Sequence, residues 1–292
     1  MKGMIQGFTT EIEASNDAEV TVSYSVRLAE QEYTLKGGEG LTFQYVGGAN
    51  CKHCGVLITA AGRDYCFDCF RTLARCDLCV MSPNRCHHHK GTCREPDWGD
   101  SFCMQPHVVY LALAHVPKVG ITRAGREWYR WSDQGAHKAL RLMTVPTRRM
   151  AGVVEAHLSQ WITDRTDWRK LVTGQRGDFS LTELAVDLMQ RTPDLGQFRS
   201  DQISDAEVDG AVWEIDPRET NLSYPVQDFS PAEQLRVDSA QEVIADNLQG
   251  VIGGYLLLSR GVMSMQSLSR GDIQLELGDP VVLEERPQMS LF

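Results

Sequence analysis

The sequence predicts an α+β fold, and three observations carry that prediction. Residues 1–50 and 220–292 read as β-rich, all nine cysteines crowd into residues 51–103, and a strand–strand–helix–strand–helix pattern follows them. The expected organisation is a β-rich segment over 1–50, a cysteine-rich metal-binding region over 51–105, a small α/β domain over 106–190, and a β-rich segment over 220–292 that can pack with the first. A length of 292 residues suits about two domains.

The N-terminal segment is read from alternation. Residues 19–26 alternate apolar and polar side chains, and Gly37-Gly38-Glu39-Gly40 separates them from a second strand over 41–46. Gly47-Gly48 then leads into the first cysteine, so sheet and cysteine region are expected to form one unit.

Cys51-Lys52-His53-Cys54 and Cys66-Phe67-Asp68-Cys69 are two knuckles joined by an eleven-residue loop. Two pairs of thiolates at this spacing close a tetrahedral four-sulfur site of the kind zinc fills without redox chemistry. A third pair, Cys76-Asp77-Leu78-Cys79, precedes Cys86, His87, Cys93 and Cys103, from which a second zinc site can be completed; His88 is read as a solvated neighbour. Spacing alone leaves open a crossed arrangement in which Cys66 and Cys69 share an ion with a later pair. The expected cofactor is thus one or two structural zinc ions. A disulfide framework is disfavoured on two grounds. The N-terminus lacks the apolar run and cleavage site of a secretory signal, which makes the cytoplasm the expected compartment, and an odd cysteine count leaves one thiol over.

The net charge of −10 is unevenly spread. Residues 104–180 carry twelve Lys and Arg against six Asp and Glu, whereas 181–292 carry seven against twenty. A basic middle is what a phosphate-binding surface looks like, and equally what a solvated helix face looks like. No apolar run approaches the roughly 20 residues a bilayer span requires, so no membrane partner is expected.

The middle domain follows in order. Residues 108–114 form an apolar strand, 114–117 a short turn and 118–122 a second strand, making a hairpin. A helix over 126–133, a strand over 139–145 and a helix over 148–162 complete it, the last with Val153, Val154, Ala156, Leu158 and Trp161 available for its buried side. Beyond a further helix over 181–190, an acidic connector over 194–219 is expected, then strands over 254–258 and 272–277, with no chemistry, and a loose end from Glu284.

The strand ending in Val108-Val109-Tyr110, the turn, Lys118-Val119-Gly120-Ile121-Thr122, a helix bearing Arg130 and a later helix bearing Glu155 resemble the GIY-YIG nuclease superfamily. The run from Cys51 through Gly91-Thr92-Cys93-Arg94-Glu95-Pro96-Asp97-Trp98-Gly99, with Asp133-Gln134-Gly135-Ala136, Asp167-Trp168-Arg169-Lys170, Ser223-Tyr224-Pro225-Val226 and Leu248-Gln249-Gly250-Val251, is similar to an uncharacterised bacterial family. That family joins a cysteine-rich zinc region to a GIY-YIG-like domain. The superfamily resemblance implies that Tyr110 activates or positions an attacking water, that Arg130 holds the scissile phosphate, and that Glu155 binds magnesium or manganese. Lys118 stands where the second motif has tyrosine, and Asp167 is the nearest residue to the late asparagine. Lys118 can depress a neighbouring tyrosine and contact phosphate, or it can mark a domain that only binds.

Each of these residues also has a plain structural reading. Tyr110 suits a core strand, Glu155 an ordinary helix position, Arg130 a stack between Tyr129 and Trp131, and Gly120 a strand-end turn. Trp128, Trp131, Trp161 and Trp168 suit the core, though one beside an arginine can stack a base. Two functional classes follow: a metal-dependent phosphodiesterase or endonuclease, a hydrolase acting on DNA or RNA, and a non-catalytic nucleic-acid-binding protein. A protein-interaction module is the third.

Overall fold

The His107–Leu113 strand divides the molecule, and all seven of its side chains are buried. Alternation sends Val109, Leu111 and Leu113 to one face, where they meet Met150, Val154 and Leu158 of the Arg148–Leu158 helix and Leu181, Ala185 and Leu188 of the Leu181–Arg191 helix. Val108, Tyr110 and Ala112 enter a second core on the other face, with Trp131 of the Glu127–Asp133 helix and side chains from both ends of the chain. A strand covered on both faces needs no polar positions, which is why this segment reads as one continuous apolar run. The computed structural model describes residues 1–283 apart from 17, 59–62, 164–166, 201–202, 215–217 and 238–241.

Pro117–Arg123 and Lys138–Val145 flank this strand, both antiparallel to it. The helix expected over 148–162 is shorter. It ends at Leu158, because the chain tightens into turns in which Trp161 N–H donates to the Leu158 carbonyl at 3.0 Å.

The two ends of the chain share one ladder. Lys2–Asn16 lies between Glu19–Leu28 and Asp272–Gly278, and Gly40–Gly47 lies between Asp272–Gly278 and Val243–Ile252. Thr220–Ser223 runs parallel to Glu19–Leu28 and antiparallel to Lys138–Val145, so it stitches the end strands to the middle ones. Thirteen strands among the described residues thereby join one hydrogen-bonded network. Val243–Ile252 and Tyr255–Leu258 form a hairpin through Gly253 and Gly254, whose φ of 57° and 77° suit the tight turn that matches strand twist.

The described residues of the 194–219 stretch are more ordered than an acidic connector. It contains the Asp205–Asp209 helix, opened by a capping box between Ser204 and Glu207, and the Val212–Trp213 strand, which pairs with Met143 and Thr144. The end from Glu284 lies outside the described residues. No helix among the described residues is long and apolar enough to cross a membrane.

Candidate functional site

The first two knuckles converge. Cys51 and Cys54 sit on a turn in which Gly55 N–H donates to the Cys51 carbonyl at 2.9 Å, and Gly55 supplies the positive φ of 74° that lets the chain reverse behind the pair. Cys66 precedes the Phe67–Thr72 helix as its N-cap and Cys69 lies in its first turn, so their thiols share one side. The four Sγ atoms all lie within 4.8 Å of one another. Cys54 and Cys66 stand 3.7 Å apart, close to the roughly 3.8 Å that four thiolates keep around a tetrahedral ion with bonds of about 2.3 Å. A disulfide would hold its sulfurs at about 2.05 Å. Burial raises the Cys51 thiol, but the N–H groups of Cys54, Cys66 and His53 outweigh it and draw it to about 6. Burial and the three neighbouring thiols push Cys69 up. The donor set, its spacing and its one readily ionised thiol fit a closed structural zinc site.

The two cysteines of the third knuckle have different surroundings. Between them Asp77 accepts from Cys79 N–H at 3.2 Å as N-cap of the Leu78–Met81 helix. Cys76 packs against the hydrophobic cluster of Cys51, Cys69 and Leu73. Cys79 lines a different space, a cavity of about 10 Å³ shared with Cys86, Cys93 and Cys103 and bounded by Asp77, His87 and His88. Asp77, Cys79 and His87 also place their donor atoms within 4.8 Å of one another.

The third group lies on the sheet. Tyr110 is fully buried, its ring edge-on to Trp131 at 6.2 Å between centroids. Gly120 is its cross-strand partner. Arg130 and Gln134, one helical turn apart, stand beside the hydroxyl, and Glu155 acts on it from the Arg148–Leu158 helix. Neither Arg130 nor Gln134 meets the hydroxyl in hydrogen-bond geometry, so a buried Oη remains without a partner. Burial pushes Tyr110 up to about 12, Arg130 and Gln134 pull against it, and Glu155 adds to the rise. The tyrosine is therefore not depressed as a neighbouring lysine would have made it. Lys118 is itself buried, pairing with Ala112 one step from the Gly120–Tyr110 pair and on the same sheet face.

Other singled-out residues serve the fold. Asp167 caps the Trp168–Val172 helix, accepting from Arg169 N–H at 3.0 Å. Trp131 is in the core, whereas Trp161 is exposed beside Arg191. Gln134 entered the sequence analysis only within a family-like run and with no chemical role, although its i+4 spacing from Arg130 puts both on one helix face. Arg141, the Tyr110 partner on Lys138–Val145, was equally invisible before the register was known.

A family model described as a protein of unknown function (DUF2797) matches residues 38–271. No curated protein and no solved structure gives a match.

Proposed function

We propose that this chain, which belongs to the DUF2797 family, is a metal-dependent phosphodiesterase acting on nucleic acid and framed by a structural zinc module. The observation that carries this reading is the buried, partnerless hydroxyl of Tyr110 with Arg130 and Gln134 beside it and the charge of Glu155 reaching it. These residues come from two helices and a strand, and the strand–strand–helix–strand–helix order in which they occur is the order of the superfamily that the sequence resembles.

The chemistry follows from the environment of each group. A tyrosine with its pKa near 12 keeps its proton at neutral pH, so Tyr110 acts as a hydrogen-bond donor that positions a water or a phosphate oxygen, not as a base. Arg130 is exposed and offers a planar guanidinium to the phosphate, where its charge offsets the charge that develops on the equatorial oxygens. Lys118 adds a second cation on the same sheet face. The half-buried carboxylate of Glu155 is the residue that would hold a divalent ion, which would supply charge to polarise the phosphate and stabilise the leaving oxygen.

A second reading, binding without cleavage, draws on one observation: the Tyr110 hydroxyl is shut from solvent and Lys118 is buried. The two readings separate in one experiment. Labelled single- and double-stranded DNA and RNA are incubated with magnesium or manganese and wild type or Glu155→Ala. Cleavage by wild type that is lost in Glu155→Ala supports the enzyme. Salt-sensitive binding by both proteins without cleavage by either supports the binding module, because phosphate contacts release counterions.

A further inference from the structure

Four cysteines remain once the first quartet is set aside with Cys76, which packs against it. They are Cys79, Cys86, Cys93 and Cys103, and they come from four separate short elements: the Leu78–Met81 helix, the end of the Pro83–Arg85 turn, the loop after His88–Lys90, and the end of the Pro96–Phe102 helix. All four line one small cavity of about 10 Å³, the room of a single water-sized sphere. The charges of Cys86 and Cys103 act on Cys79, and those of Cys86 and Cys93 act on Cys103. Cys86 and Cys103 are 7% and 5% exposed, and Cys79 and Cys93 are half-buried.

The backbone around the cavity is fitted to this convergence. A Cβ on Gly99 would stand 2.7 Å from the His88 ring and 3.3 Å from Cys93 Sγ, so glycine is needed there for the Pro96–Phe102 helix to approach the cysteines. Arg148 ties the two sides together. Its guanidinium donates to the carbonyls of Cys79 and Val80 at 2.9 and 2.6 Å, and its backbone N–H donates to the Cys103 carbonyl at 2.8 Å. Four thiolates around a divalent ion carry a net charge of −2, and the Arg148 guanidinium beside them offsets it.

Asp77 and His87, whose donor atoms lie within 4.8 Å of that of Cys79, also hold other groups. Asp77 already takes the Arg94 guanidinium at 2.8 Å and the Cys79 N–H. His87 meets Asp77 through Nε2 at 3.5 Å and Thr92 through Nδ1 at 2.8 Å, which uses both ring nitrogens. These residues surround the donors and orient them.

We propose that Cys79, Cys86, Cys93 and Cys103 form a second, all-thiolate site for a soft divalent cation such as zinc, with neither Cys76 nor His87 among its ligands. Because Arg148 opens the helix that carries Glu155, this ion would fasten the cysteine region to the sheet unit.

The full-length protein, purified with zinc and assayed by elemental analysis, tests the assignment. Wild type is expected to carry two ions per chain. Cys86→Ser, Cys93→Ser and Cys103→Ser should each retain one, as should Cys54→Ser through loss of the other site, while Cys76→Ala and His87→Ala should retain two. A wild type holding a single ion, loss of an ion in Cys76→Ala or His87→Ala, or an undiminished count in Cys93→Ser overturns the proposal. Should the serine variants fail to fold, cobalt substitution of Cys93→His decides the matter. A histidine in the ligand set lowers the sulfur-to-cobalt charge-transfer band relative to wild type, and an unchanged band overturns the assignment.

Discussion

Tyr110 fills the place of the side chain that Gly120 lacks: a Cβ on Gly120 would stand 2.5 Å from the Tyr110 hydroxyl oxygen and 2.6 Å from Cζ. The phenol cannot retreat, since Trp131 and the core pack behind it. Gly120→Ala is therefore expected to cost about 1–3 kcal/mol by overpacking, measured as a lower urea midpoint. Tyr110→Phe keeps the ring and removes a buried hydroxyl that has no partner, so its stability should stay within about 1 kcal/mol of wild type. Under the phosphodiesterase reading, cleavage by Tyr110→Phe falls at least about tenfold with folding intact. Unchanged cleavage would show that the hydroxyl takes no part in the reaction.

Arg149 and Glu207 form a buried ion pair at 2.5 Å that pins the Asp205–Asp209 helix to the Arg148–Leu158 helix. Burial raises the Glu207 carboxyl, but the Ser204 N–H, the Thr147 hydroxyl and Arg149 together hold it below its ordinary range. A depressed carboxylate contributes stability that is present above the unfolded pKa and is lost as pH falls through the folded one. Glu207→Ala should cost about 3 kcal/mol by stranding Arg149, and Arg149→Met/Glu207→Leu distinctly less. Chemical denaturation of the single and double variants at neutral pH checks the order, and equal losses would argue against a stranded charge.

His107 gives a pH dependence of the opposite chemical origin. Burial is the main reason its pKa falls to about 4, with Arg148 and Arg123 adding repulsion against the pull of the Gln105 carbonyl. Between the unfolded value near 6.5 and the folded value, the unfolded chain binds a proton that the folded one does not, so stability drops as pH falls through this window. The loss attributable to His107 is on the order of 2–3 kcal/mol. His107→Gln should flatten the fall in urea midpoint between pH 6.5 and 4.5, and a curve as steep as wild type would remove His107 from the account.

Much of this was legible before the structure because single residues carried it. The first quartet follows from spacing, and the buried His107–Leu113 strand from an apolar run that no solvated element tolerates. Lys2–Asn16 was not legible, since Ile5 is its one buried side chain and the strand is held by its ladder with Glu19–Leu28 and not by its own pattern. Ser204-Asp205-Ala206-Glu207 did carry a readable capping box, hidden by the acidic composition around it. The third knuckle has a local feature that spacing did not show: Asp77, between its two cysteines, caps the Leu78–Met81 helix.

The first quartet makes a final, separable prediction. Among the described residues of 51–73, little is buried beyond Cys51, Ile58, Cys69 and Leu73, a cluster too small to fold by hydrophobic burial alone. Ion binding at the quartet is expected to supply their order, since its free energy in such modules is folding free energy. The sheets have cores of their own on both faces of His107–Leu113. Cys54→Ser, or a chelator strong enough to strip the site, should therefore abolish amide-exchange protection at Phe70 and Leu73, whose N–H groups donate to Cys66 and Cys69, while protection across His107–Leu113 persists. Hydrogen exchange followed by mass spectrometry resolves the two segments. Retained protection at Phe70 and Leu73 in metal-free protein would show that the knuckles fold without an ion, and loss of protection in the strand as well would show that the ion supports the whole chain.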